Sequence, residues 1–542
     1  MNLIKKFFII INLLIIFFFN FKIESYIRFN KKKWGKNKVA ATESKGIFLL
    51  EVFDWYPLIH FWSYITNIIA KEKKIEIKFF YFPLGRSLFY DFLRLKILEK
   101  IYNSFNCFQG INFYNLDTNS IIKNKYKKIL FKNIFTRDDI MNYSRNGIRF
   151  GDLIYDTYLR VNLVPTIENV RESKFVDLFI NANIIFDNVW EYFKKNNVKF
   201  VMSSHSVYIQ YGLICRIGDF FGAKILKVHD KANASSNFGL KLMDKGLILQ
   251  DFPYYNYKFF FSKLKKKRNA LLIGKKILEK RFKGQIDYST PYMKISAYNK
   301  GICNLNLFRN TKKKKIILFS HCFFDEPHRF RNMLFSDFYQ FILKTCQYIA
   351  LNKDLELYIK PHPNGIDGNK FFFQKLKKFF ISYDNIIFLN SDINNHEIIN
   401  SKPDLALTVH GTIAHELAYH KIPVINAGDN PHINYSFSLH PKNLDEYFYL
   451  LKNIKICRKK INFTKKPIYE FIYMHYHHFL FRFQKKNLLL DQYFTNQTLD
   501  KNGKLYKKLN DETIFDFYIK NSKFSDRNIR KYISNFINSE II

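Results

Sequence analysis

Residues 403–428, PDLALTVHGTIAHELAYHKIPVINAG, constrain this chain more than any other stretch. Residues 405–409 are a short apolar, β-prone run that stops at His410-Gly411-Thr412. From there Ile413, Leu417 and Ala418 recur at helical spacing, until His420-Lys421-Ile422-Pro423 breaks the pattern and Val424-Ile425 opens a second apolar run. The unit reads strand, glycine turn, helix, strand. Joining its two strands through a helix makes them parallel, and parallel sheets leave ligands at the carboxyl ends of their strands, where His410 and Gly411 lie. Thr412 is expected to cap the helix, and its first N–H groups suit a phosphate or diphosphate. Glu416, one turn in, is expected to reach a ribose hydroxyl.

The same alternation recurs on both sides of this unit. Runs at 46–52, 75–82, 198–202 and 224–228 read as strands of a first domain, with helices at 55–70 and 175–195 between them. Runs at 316–320, 356–359 and 386–389 open a second domain that includes the central unit. Several runs end in chemistry: Ser203-Ser204-His205-Ser206, His321, and Lys360-Pro361-His362-Pro363, whose two prolines stiffen the loop. The expected fold is α/β, with two Rossmann-like domains facing across a cleft. Its parts are an N-terminal hydrophobic anchor and basic linker at 1–45, a first domain with linker at 46–310, a second domain at 311–450 and a helical tail at 451–542. If the elements at 360–363 and 410–412 come from neighbouring strands, their side chains converge on one diphosphate.

Residues 7–19 are almost unbroken apolar and are flanked by positive charge. Thirteen helical residues span about 20 Å, short of a hydrocarbon core of about 30 Å, so a half-inserted anchor on the cytoplasmic face of the membrane is expected, with a signal anchor or an overlong start on a peripheral protein as the alternatives. Lys+Arg 87 against Asp+Glu 46 gives +41. The lysines are scattered, and Lys, Asn, Ile, Phe and Tyr are inflated together; this composition favours an anionic membrane surface as partner and no nucleic acid. The six cysteines form no CxxC pair, and the histidines at 475, 477 and 478 lack a ligand partner at a useful offset, so no metal site is read. GxGxxG after the first strand, GxxxxGK[ST] and GxSxG are all missing, which removes the phosphate loops of dinucleotide redox enzymes and P-loop ATPases and the usual hydrolase serine. Group transfer remains.

KPHP at 360–363, HGTIAHELAYHKIPVINAG at 410–428, SSHSVYIQYG at 203–212 and GDLIYDTYLR at 151–160 resemble segments of the capsule polysaccharide biosynthesis group of GT-B glycosyltransferases, over residues 46–450. The resemblance implies a GT-B fold, a nucleotide-sugar donor held by the second domain, a glycan or lipid-linked saccharide acceptor at the first, and chemistry without a cofactor or bound metal. Related polyol-phosphate transferases share the KPHP element but tend to carry Asp-Tyr-Ser-Ser where this chain has His410-Gly411-Thr412.

The function expected on this basis is transfer of a sugar to a growing capsule or surface polysaccharide by direct displacement at the anomeric carbon. Asp152, Asp156 and His205 are base candidates for the acceptor hydroxyl, Asp152 first. Lys360, His362 and His410 face the leaving phosphate, with Gly411, Thr412 and Glu416 completing donor binding. A polyol-phosphate transferase, a sugar-nucleotide epimerase, and a non-catalytic membrane-associated interaction protein are the alternative readings.

Overall fold

A computed structural model describes residues 21–82, 88–116, 119–230, 238–242, 254–285, 296–299, 307–362, 369–478 and 513–520, with Ser522 and Ile533. The chain is mixed α/β, built on two largely parallel sheets. The first comprises β1 (Ile47–Glu51), β2 (Glu76–Tyr81) and β3 (Cys107–Asn112), then, beyond a small hairpin of β4 (Ser144–Arg145) and β5 (Ile148–Arg149), β6 (Val198–Ser203), β7 (Lys224–Asp230) and β8 (Phe238–Leu242). Its order is β3-β2-β1-β6-β7-β8, with β8 antiparallel at the edge. All five residues of β1 are buried, as a central strand covered by helices on both faces requires. The helix Tyr56–Lys73 covers one face and Ser173–Lys195 lies in the core on the other.

The second sheet comprises β9 (Lys314–Phe319), β10 (Leu355–Lys360), β11 (Ile386–Phe388), β12 (Leu405–Thr408) and β13 (Val424–Asn426), in the order β11-β10-β9-β12-β13 and parallel throughout. In each sheet the chain builds outward one way from the first strand and returns to its other side. The strand order therefore reverses between β1 and β6, and again between β9 and β12. These are the positions where an open α/β sheet leaves a crevice at its carboxyl edge.

Three stretches differ from the sequence expectation. Residues within the stretch read as a basic linker form the helix Phe21–Trp34, which buries Ile23, Tyr26, Ile27, Asn30 and Trp34. That stripe joins the core of the first sheet, while Lys31, Lys32 and Lys33 occupy the last turn, where cations suit the helix dipole. Residues 254–282, read as part of the stretch that carries the linker, contain the helices Tyr257–Ser262 and Lys267–Phe282. The latter packs so closely on the helix Lys465–Tyr473 that a Cβ at Gly274 would stand 2.1 Å from the carbonyl oxygen of Tyr469. Strands β3 and β8 were not read from the sequence; both lie at sheet edges, where the apolar run is interrupted.

The apolar run at 7–19 lies outside the described residues, and no helix among them is long and apolar enough to cross a membrane. At the other end, the helix Thr513–Lys520 returns to the first sheet: Phe515 stacks on Tyr26 at 4.1 Å between ring centres and Tyr518 on His60 at 3.8 Å.

Candidate functional site

The crevice between β1 and β6 carries the first group. Glu51 ends β1 and is 1% exposed. Its carboxylate receives the Ser204 N–H at 2.7 Å and the Ser204 hydroxyl at 2.9 Å, with Ser203 Oγ also 2.7 Å away. Burial pushes its pKa up to about 7, against these donors. Ser204 Oγ also lies 2.8 Å from His205 Nδ1. Since the hydroxyl hydrogen is directed to Glu51, the oxygen accepts from the ring, which puts the imidazole proton on Nδ1 and the lone pair on Nε2. His205 is partly exposed, and the Tyr211 and Phe53 rings flank it at 5.1 and 6.1 Å.

The crevice between β9 and β12 carries the second group. His321 Nε2 lies 3.2 Å from Thr408 Oγ1 and 3.4 Å from the backbone N–H groups of Val409 and His410. Because both N–H groups point at Nε2, that nitrogen is an acceptor and takes the Thr408 hydroxyl hydrogen too, which leaves a neutral ring with its proton on Nδ1; Thr408 Oγ1 in turn accepts the Gly411 N–H at 3.3 Å. Burial, then the neighbouring His410 and His362, hold His321 well below the usual histidine range. A Cβ at Gly411 would meet Thr408 Oγ1 at 2.7 Å, which explains the glycine. The His410 ring lies 4.6 Å from His321 and packs on Phe330 and Phe338.

His362 follows β10 and receives orientation from its backbone N–H, which donates to Ser320 Oγ at 2.9 Å. Burial and Lys360 lower its pKa to about 4, and burial lowers that of His410 to about 3. Lys360 is 3% exposed and donates to Asn395 at 3.0 Å. His362 and His410 thus share the carboxyl edge of one sheet, although β9 separates their strands and inserts His321 between them. Pro363 lies outside the described residues.

Four of the expected residues are placed or engaged within the protein in ways their neighbourhoods in the sequence do not show. Asp152 is 1% exposed and takes a two-pronged ion pair from Arg216, at 2.7 and 2.6 Å; burial pushes it up, but Arg216 outweighs that and holds it below the usual carboxylate range. A carboxylate so engaged anchors a helix and is not poised to take a proton. Asp156, likewise buried, pairs with His328. Glu416 receives Arg281 at 3.2 Å and the Tyr298 hydroxyl at 2.7 Å, so its oxygens hold together the helix and the preceding segment, where a ribose contact was expected. Thr412 occupies the residue before the helix Ile413–Tyr419 without making a side-chain cap; its backbone is already helical. Sequence reading missed Glu51 and the role of His321. The signal for Glu51 was a carboxylate closing an otherwise apolar strand.

The two crevices are joined by the loop after β9. His328 Nδ1 lies 2.5 Å from Asp156 Oδ1 on the helix Gly151–Asn162, and the Tyr155 hydroxyl donates to Asp337 at 2.6 Å. The same helix fixes the loop after β6, through the Ile209 N–H donated to Thr157 Oγ1 at 2.9 Å. Asp325 of the loop after β9 also lies 3.7 Å from Arg160 of that helix. The loops at the carboxyl edges of the two sheets therefore face each other.

No family model and no curated protein sequence matches the chain. Among solved structures, a UDP-GlcNAc 2-epimerase from Neisseria meningitidis bound to UDP-GlcNAc is similar at 9% identity and a TM-score of 0.24, over 80% of this chain and 99% of that one. KpsC of Thermosulfurimonas dismutans, a beta Kdo 2,4 transferase, is similar at 13% identity and 0.29, over 50% and 78%. A glycosyltransferase from Rickettsia africae is similar at 12% identity and 0.28, over 84% and 99%.

Proposed function

We propose that this chain is a sugar-nucleotide-dependent glycosyltransferase of the GT-B type, in which the sheet of β1 to β8 serves the acceptor and the sheet of β9 to β13 the donor. The observation that carries this reading is the pair of facing crevices, each at a point where strand order reverses, one holding His205 and the other His321, His362 and His410. A crevice lined by imidazoles, with Lys360 close by, offers N–H donors and proton-accepting capacity to a diphosphate without fixed excess charge. His205, with its lone pair on Nε2, suits the acceptor hydroxyl. As the acceptor oxygen bonds to the anomeric carbon, the hydroxyl proton passes to His205 and the nucleotide leaves with the electron pair of the broken C–O bond. His362 and His410 stabilise the negative charge that develops there. The acceptor is a glycan or lipid-linked saccharide of a surface polysaccharide, approached at an anionic membrane surface that the excess of Lys and Arg favours.

The test is a thermal-shift screen against UDP, GDP, CMP and CDP, followed by product analysis with the sugar nucleotide of whichever base binds. Nucleotide released together with free or transferred sugar supports the reading. An isomerised sugar nucleotide would instead make the chain an epimerase, and failure to bind any nucleotide would overturn the assignment.

A further inference from the structure

Glu51 is costly where it stands. A carboxylate 1% exposed at the end of a central strand loses its hydration, and three donors replace it, all from Ser203 and Ser204, themselves 0% and 1% exposed. The fold could close this strand with an apolar residue at no such cost. Backbone strain lies in the loop after β6: Tyr208, an aromatic residue, has φ 61° and opens the π-helical turn Tyr208–Gly212. Thr157 and the packing of Tyr208 hold that turn in place. Its effect is to bring the Tyr211 ring within 5.1 Å of the His205 ring.

We propose that Glu51 and Ser204 are positioning residues that act through His205: Glu51 fixes the Ser204 hydroxyl, which fixes the imidazole with its proton on Nδ1 and makes Nε2 the proton acceptor. This rests on the glycosyl-transfer reading for the identity of the proton donor, an acceptor hydroxyl. When that proton moves to Nε2, the imidazolium is stabilised by the Glu51 carboxylate across one serine hydroxyl. No proton need leave Nδ1, so the step itself does not protonate Glu51. The logic is that of an acid–base residue oriented by a buried carboxylate, with a hydroxyl interposed. The other titratable and charged groups around the relay are Tyr102, whose hydroxyl donates to the Glu51 carbonyl at 3.1 Å, Tyr211, Cys215, and Lys227, which lies 3.5 Å from Ser206 Oγ.

The test needs no knowledge of the sugar. The full chain is treated with diethyl pyrocarbonate across pH 5.5–8.5 and carbethoxylation of His205 is followed by peptide mass spectrometry, in the wild type and in Glu51→Gln, Ser204→Ala and Glu51→Asp. Circular dichroism melts establish that each variant is folded. The relay predicts that Glu51→Gln and Ser204→Ala lower the rate at His205 about fivefold or more and move its pH midpoint down, while Glu51→Asp retains the wild-type midpoint. Other histidines keep their rates. With the sugar nucleotide as substrate, the same two variants lower kcat at little-changed KM. Wild-type rates and midpoint at His205 in both variants would overturn the relay even if the enzyme transfers sugar. Altered rates in a chain that turns over no sugar nucleotide would leave the relay standing and overturn the glycosyl-transfer reading.

Discussion

His328 stands with Nδ1 2.5 Å from Asp156 Oδ1 and Nε2 2.9 Å from the carbonyl oxygen of Ser336, so that both ring nitrogens face acceptors. The pair links the loop after β9 to the helix Gly151–Asn162 and thereby ties the two sheets together. Burial pushes the His328 pKa down, but Asp156, Asp152 and Asp337 outweigh it and the net shift is upward. Burial also pushes Asp156 up, against the pull of His328; the ring's position between two acceptors keeps the proton on the imidazole. The stabilisation is then present in full below pH ~6.5 and lost as pH rises through the raised pKa. Melting temperature measured from pH 6 to 9 should fall on the alkaline side, and Asp156→Asn should remove that part of the slope while costing about 3–5 kcal/mol near neutrality. An unchanged alkaline slope in the variant would show that the pair is not the linkage.

On the acid side the sign reverses. His60, His321, His415 and His432 are all held well below the normal histidine pKa by burial. Below pH ~6.5 the unfolded chain takes up protons that the folded chain refuses, so stability should drop by about 1.4 kcal/mol per pH unit for each such ring. Urea denaturation at pH 7.0, 6.0 and 5.0 measures this directly. His321→Gln should flatten the decline by about one ring's share.

Nucleotide diphosphate binding should take up protons. His362 and His410 are neutral at pH 7, with pKa values near 4 and 3, and a dianion beside them favours their charged forms. Calorimetric titration with UDP, or with whichever diphosphate binds, in two buffers of different ionisation enthalpy should give net proton uptake and an affinity that rises as pH falls. His410→Ala should abolish most of the uptake. Either His362→Ala or His410→Ala should lower turnover on the order of a hundredfold, as loss of a donor to a developing oxyanion does.

Asp152 should prove structural. Its pair with Arg216 is buried on both sides, so Asp152→Asn leaves an unpaired guanidinium and should cost about 3–5 kcal/mol. The double variant Asp152→Leu, Arg216→Met should regain much of that stability. Recovery of activity with recovery of fold excludes Asp152 as the base; a stable double variant without activity would return it to candidacy.

The helix Phe21–Trp34 should be indispensable. Trp34 and Tyr26 are fully buried in the first core, so Trp34→Ala should cost about 3–5 kcal/mol. A chain starting near Ser44 should fail to fold, which a thermal melt of the truncated chain checks.

These outcomes also mark where sequence reading ends. Parallel strands were legible because strands covered on both faces are mostly apolar, as Ile47–Leu50 of β1, Phe200–Met202 of β6 and Leu405–Leu407 of β12 are. Their carboxyl ends were legible for the same reason: His205, His321, His362 and His410 each follow an apolar run. What stayed hidden depends on partners far away in the chain. Asp152 looked poised because Arg216, 64 residues on, is invisible from its neighbourhood. Glu51 looked like the polar end of a strand because its donors lie 152 residues later. The positions 23, 26, 27, 30 and 34 do follow helical spacing, but three consecutive lysines masked the stripe.

The stacking of Phe515 on Tyr26 and of Tyr518 on His60 also bears on the order in which the chain can fold during synthesis. The strands of the first sheet are complete once residue 242 has been made, yet its hydrophobic core still lacks these two rings. At translation rates of ~5–20 residues per second the core waits for them on the order of tens of seconds, until residue 518 has left the ribosome. The second sheet, which closes its core from residues 316–457, can finish first. The first part of this protein to be synthesised is thus the last to be completed.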